Sequence, residues 1–85
     1  MSRFMAVHTM PATKEQVMAS GDQLSKLPPG IMWNRTYCDF TSHKFFCEWE
    51  ATNKAALEAV FKAVNQPCEA IYQVELIDIE TRKFR

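Results

Sequence analysis

Two cysteines nine residues apart flank a histidine in the stretch "YCDFTSHKFFCEWE", residues 37–50. Cys38, His43 and Cys47 are residue types that bind borderline metals or exchange disulfides. A metal site using both cysteines needs two more ligands on the same face, and the sequence offers none there. C-x-x-C, G-x-S-x-G and H-E-x-x-H are all missing, and the only glycines are Gly21 and Gly30. That excludes a glycine-rich phosphate loop. Free cysteine is among the most buried residue types. Cys38 and Cys47 are therefore read as core neighbours, Cys68 after Pro67 as buried filler, and His43 as a surface histidine.

A second constellation is spread along the chain: His8, Arg35, Tyr37, Glu48, Glu50, Gln73 and Glu75. A histidine, carboxylates, a tyrosine and an arginine together supply acid/base groups and an anion clamp. Imidazole also suits nickel, with carboxylates completing the site. His8 with Glu50 is the first candidate metal pair, and His43 with Asp39 is a surface alternative. The plainer reading is a solvated or dimer-facing sheet whose charges pair across strands.

These residues need elements to hold them. "RFMAVHTM" (3–10) alternates as a strand, with Phe4, Ala6 and His8 on one face and Met5, Val7 and Thr9 on the other. The segment 13–27 reads as one helix, with a Thr13/Gln16 capping box and a stripe of Val17, Leu24 and Leu27. Gly21 in its middle suggests close approach of helix to sheet. "PPG" (28–30) ends it. Strands follow at 31–40 and 44–50, too close for anything but a hairpin. A helix capped at Thr52 or Asn53 buries Ala56, Leu57, Val60, Phe61 and Val64. A fourth strand spans 70–80, and "TRKFR" is a loosely held tail.

The order βαββαβ gives a ferredoxin-like α+β fold, a four-stranded antiparallel sheet with both helices on one face. The first and third strands are central and are expected to run parallel. One register pairs Phe40 with Phe45, Cys38 with Cys47 and Thr36 with Trp49. It turns Phe40, Cys38, Phe45, Cys47 and Trp49 to the helices. Tyr37 then opposes Glu48, and Arg35 opposes Glu50, on the open face. His8, Gln73 and Glu75 are placed on that open face, with Phe4, Trp33, Phe46 and Ile77 as its apolar members. Apolar area of that size marks an interface, so a homodimer through the open face is expected.

The 85 residues bound the chain to a single domain, residues 1–85. Ten basic residues balance ten acidic ones without runs of like charge. That gives no long-range pull toward nucleic acid or an anionic membrane. Neither a membrane span nor a signal peptide is visible, and an odd number of cysteines does not suit a secreted disulfide framework. A cytoplasmic protein is expected.

The segments "RFMAVHTMP", "WNRTYC", "KFFCEWEA" and "VNQPCEAIYQVELID" together resemble a family of small bacterial ferredoxin-like domains of unknown function, nickel-binding-protein-like, in the dimeric α/β-barrel superfamily. The resemblance covers nearly the whole chain. Its most specific elements are Lys44, Cys47, Glu50 and Ala51 on the third strand and the Pro67, Ile71, Val74 ending. It implies a dimer and the binding of nickel or another divalent metal. Thr41-Ser42-His43 departs from the Asp- or Gly-bearing hairpin turn of relatives. Three functions follow as expectations: a dimeric metal-binding protein, an enzyme holding a small anionic organic molecule on the open face, or a regulatory dimer.

Overall fold

The computed structural model describes residues 1–85. The elements are β1 (Ser2–Thr9), α1 (Lys14–Ala19) with a 3-10 helix (Ser20–Lys26), β2 (Met32–Asp39), β3 (Lys44–Ala51), α2 (Lys54–Ala63), β4 (Ala70–Val74), β5 (Ile77–Asp78) and β6 (Lys83–Phe84). The first four strands in the order β2-β3-β1-β4 make one antiparallel sheet. This is the ferredoxin-like arrangement, with β1 and β3 central. No helix is long and apolar enough to cross a membrane.

β1 and β3 run antiparallel, not parallel. Each helical crossover joins two parallel strands that are not neighbours, β1 and β2 with β3 between them and β3 and β4 with β1 between them, so the neighbours β1 and β3 are antiparallel. The pairing puts Phe4 opposite Trp49, Ala6 opposite Cys47 and His8 opposite Phe45. That face carries the core: Phe4, Ala6, Ile31, Cys47, Trp49, Ala51, Leu57 and Phe61.

α2 follows its amphipathic pattern. Asn53 caps it by accepting from the Ala56 N–H at 2.8 Å, which satisfies one free donor of the first turn. Leu57 and Phe61 are buried, Ala56 and Val60 half-buried, and Val64 is exposed at the frayed end. The Thr13/Gln16 capping box forms as expected. Beyond it the segment differs. The α-helix stops at Ala19, and Ser20–Lys26 winds as a 3-10 helix. Ser20, Gly21 and Asp22 are weak helix formers in sequence, and the tighter 3.0-residue turn rotates Leu24 out of line with Val17. Leu24 is exposed. A Cβ on Gly21 would meet nothing within 4 Å, so no close approach to the sheet explains that glycine.

The hairpin closes around Phe40–His43. Asp39 Oδ1 accepts from the Thr41 and Ser42 N–H groups at 3.1 and 3.0 Å, an Asx-capped turn. His43 takes the left-handed backbone at φ 56°. Asp39 rather than Phe40 is the residue that closes the ladder, and the register moves by two residues from the expected one. Asp39 opposes Lys44, Cys38 opposes Phe45, Thr36 opposes Cys47 and Arg35 opposes Glu48. The Phe40 and Phe45 rings still meet edge to face at 5.7 Å. A bulge at Asn34 then adds one residue to β2. An extra residue reverses the sides on which its neighbours lie. Trp33 therefore turns to the helix side and stacks on Trp49, centroids 5.2 Å apart.

The fourth strand ends at Val74. Ile77–Asp78 leaves the sheet and pairs with Lys83–Phe84 in a two-stranded ribbon. Asp78 Oδ1 accepts from Glu80 and Thr81 N–H groups, and Arg82 takes φ 59° to close the turn. The tail is thus half of a hairpin.

Candidate functional site

On the open face, paired strands bring together Arg3, Met5 and Val7 from β1 with Glu50, Glu48 and Phe46 from β3. β2 adds Arg35 and Tyr37 opposite Glu48 and Phe46, and β4 adds Tyr72 and Val74 opposite Met5 and Arg3. Glu48 is only 6% exposed. Its carboxylate lies between two guanidinium groups, 3.8 Å from Arg3 Nε and 3.8 Å from Arg35 Nε. The bulge residue Asn34 donates from Nδ2 to Glu48 Oε2 at 3.0 Å and to Glu50 Oε2 at 3.1 Å. One amide therefore ties the two carboxylates together. Arg3 Nε and Nη1 are buried and have no hydrogen-bond partner.

His8 is on the other side of the sheet. It is 4% exposed, meets Phe61 of α2 edge to face at 4.9 Å, and its Nδ1 lies 2.7 Å from the Pro67 carbonyl oxygen. A cavity of about 540 Å³ between the helices and the sheet has His8 in its wall. The sulfur of Cys47 accepts from the Thr36 hydroxyl at 3.2 Å.

The family described as "Nickel responsive protein SCO4226-like" matches residues 4–74. The chain belongs to this family. Among solved structures, the crystal structure of SCO4226 from Streptomyces coelicolor A3(2) superposes with a TM-score of 0.79 at 18% sequence identity. The match covers 91% of this chain and all of that one, and at that identity it speaks to the fold. No curated protein matches.

With the family in hand, the expected site residues divide. Arg35, Tyr37, Glu48 and Glu50 do share the open face. His8 and Gln73 do not. His8 alternates with Phe4 and Ala6, whose burial fixes that side of β1 against the helices. Gln73 lies opposite Phe4 and so also faces the helix side. Glu75 lies just past the end of β4 and is exposed. Of the expected apolar members only Phe46 is on the open face. Phe4 and Trp33 belong to the helix side, and Ile77 has left the sheet. Cys38 is exposed while Cys47 is buried, so the two are not core neighbours. Burial pushes the Cys47 thiol up from its ordinary range, with the Thr36 hydrogen bond opposing, and burial likewise raises Cys68.

The pair His8 and Glu50 is not a metal pair in this fold. The two residues occupy opposite faces and are separated by five β1 positions, about 17 Å at ~3.4 Å per residue. No group of three or more His, Cys, Asp or Glu side chains is arranged to hold a metal ion. On the open face Glu48 is flanked by Arg3 and Arg35 and shares the Asn34 amide with Glu50. Two contributors escaped the sequence reading: Arg3 and Asn34. Arg3 becomes visible once β1 is paired antiparallel to β3, which sets it opposite Glu50. Asn34 reaches both carboxylates only because of a bulge that has no sequence signature.

Proposed function

We propose that this chain works in the cytoplasm, as one ferredoxin-like unit, by closing its open sheet face against a second copy, and that it binds a ligand rather than transforming one. The buried Nε and Nη1 of Arg3, which make no hydrogen bond and have only the 3.8 Å approach of Nε to Glu48, carry this reading. A buried donor without an acceptor costs about 1–3 kcal/mol, and more when charged. A second copy laid over the face by two-fold symmetry brings acceptors to it. Exposed Met32, Tyr37 and Tyr72 around half-buried Phe46 add the aromatic and methionine surface that interfaces favour. An interface of standard size, on the order of 1,600 Å² in total, is expected.

The family's description supplies nickel as the ligand to test. In this reading nickel, or another divalent metal, is a property of the assembly. His43 is the exposed imidazole, and Asp39 at the same turn offers a carboxylate. Both types suit nickel. One copy then gives two ligands, and two copies give four. The backbone N–H of Ser42, foremost, holds the Asp39 carboxyl below its usual range, which keeps it ionised. The enzyme reading keeps Arg35 and Arg3 as an anion clamp but loses His8 to the opposite face. Glu48, Glu50 and Tyr37 are the proton-carrying groups left to it on that face.

Nickel titrated calorimetrically into wild type, His43→Ala and Phe46→Asp separates these readings, with sedimentation of the same samples. Nickel should bind wild-type dimer, and both variants should lose it, the first while dimeric and the second as a monomer. A wild-type dimer that takes up no nickel overturns the metal assignment. Nickel held by monomeric Phe46→Asp overturns the need for assembly.

A further inference from the structure

The first helical segment does not seal its side of the sheet. Neither α1 nor the 3-10 helix buries a single residue. α2 does pack, through Leu57 and Phe61. The space left between them is the cavity of about 540 Å³, with Val17 and Leu27 on one wall, Phe61 on the other, and Trp33 and Trp49 on the floor. Its size lies within the range of small-molecule sites, roughly 300–1,000 Å³. Exposed Gln16, Gln23 and Lys26 form the rim.

Two polar groups in this apolar wall are unfilled. The Pro67 carbonyl only accepts, so the His8 nitrogen beside it, Nδ1, carries the hydrogen. In the neutral ring that leaves Nε2 as an acceptor, and no protein group donates to it. Trp49 Nε1–H is buried with no acceptor. The other polar groups of the floor are satisfied in series: Trp33 Nε1 donates to Thr36 Oγ1 at 2.9 Å, and Thr36 donates to Cys47 Sγ. A hydroxyl both donates and accepts, so it matches either unfilled group. A charged ligand head would sit in an apolar wall with no buried cation to meet it.

We propose that this cavity is a binding site for an uncharged, flat, apolar molecule bearing a hydroxyl, of the phenol class, with His8 Nε2 accepting from that hydroxyl. The site is independent of the open face and of nickel. Both tryptophans of the chain lie in the wall, so their indole N–H signals report on it directly.

The probes are 2-naphthol and 2-methoxynaphthalene, the same ring system with and without the donor, titrated into nitrogen-15-labelled protein. 2-Naphthol should shift both indole signals and bind at least tenfold more tightly than the ether. His8→Phe should remove that preference, and Ala59→Phe, which fills the cavity from α2, should weaken both probes. Equal affinity for the two probes in wild type overturns the assignment of His8. Absence of binding means that the helix closes over an empty cleft, and shifts confined to the open face mean that the probe sits at the interface; either overturns the site. The wild-type comparison decides the matter even where a variant fails to fold.

Discussion

On the helix side of the sheet, Phe4, Ala6, Cys47 and Trp49 are buried beneath the helices. On the other side Arg3, Met5, Val7 and Glu48, their neighbours in sequence, have no second layer above them. Yet Val7 and Glu48 are nearly as buried as the core residues, at 8% and 6% exposed. The helix side gets its burial from apolar packing, which needs no partners. The open side gets it from long charged side chains lying over a carboxylate, which leaves donors unfilled. The first is finished within one chain where α2 covers it, and leaves Trp49 Nε1–H without an acceptor only at the cavity. The second is half an interior, and the difference is why dimerisation is proposed there. The helix side is itself uneven, sealed by α2 and left open by α1.

The largest effects should come from breaking the sealed side. Leu57→Ala or Phe61→Ala should each cost about 3–5 kcal/mol in urea denaturation, by lost transfer and a cavity. Tyr72→Ala on the open face should cost the folded chain under about 1 kcal/mol and act on assembly instead. If the two faces gave equal losses, the distinction between sealed and half-made would fail.

The open side breaks next, through its charge. Glu48→Gln keeps the shape and removes the charge between Arg3 and Arg35, and should cost roughly 1–3 kcal/mol. Glu50→Gln, half-exposed and held only by Asn34, should cost less than about 1 kcal/mol. Denaturation of the two variants side by side checks the order.

Cysteine labelling sharpens the comparison without altering the fold. Cys38 should react rapidly with a thiol reagent under native conditions, and Cys47 only slowly. The raised Cys47 thiol stays protonated above the ordinary thiol range, where the unfolded thiol ionises. Its linkage therefore leaves stability untouched below that range and lowers it as pH rises through it. Fast labelling of Cys47 at neutral pH would contradict its burial.

The smallest effect belongs to the hairpin turn. Asp39 has a lowered pKa, first through the Ser42 N–H, so its contribution is present above the ordinary carboxylate pKa of about 3.9 and lost as pH falls below it. Asp39→Ala should flatten the pH dependence of stability only in that acid window.

Much of the fold was legible because it rests on coarse signals. Short links forced the hairpin, the helix periods placed α2, and the βαββαβ order put β1 and β3 at the centre of the sheet, though not their antiparallel sense. The site was less legible because faces depend on single residues. His8 was drawn to the polar face by its type, although Phe4 and Ala6 on the same side of β1 settle where it goes. Asp39, not Phe40, sets the turn, and a two-residue change of register trades the Arg35–Glu50 pair for Arg35–Glu48 while leaving the faces intact. The bulge at Asn34 does change faces, for Trp33, and no local residue pattern announces it. The ribbon of β5 and β6 was missed because Ile77 continues the alternation of β4 past the point where the strand leaves the sheet.

Sedimentation of the wild-type chain at tens of micromolar tests the unfinished face most directly. A dimer that Phe46→Asp converts to a folded monomer is the predicted result. A wild type that sediments as a monomer would contradict the account, because the Arg3 donors would then remain without the acceptors that a second copy brings.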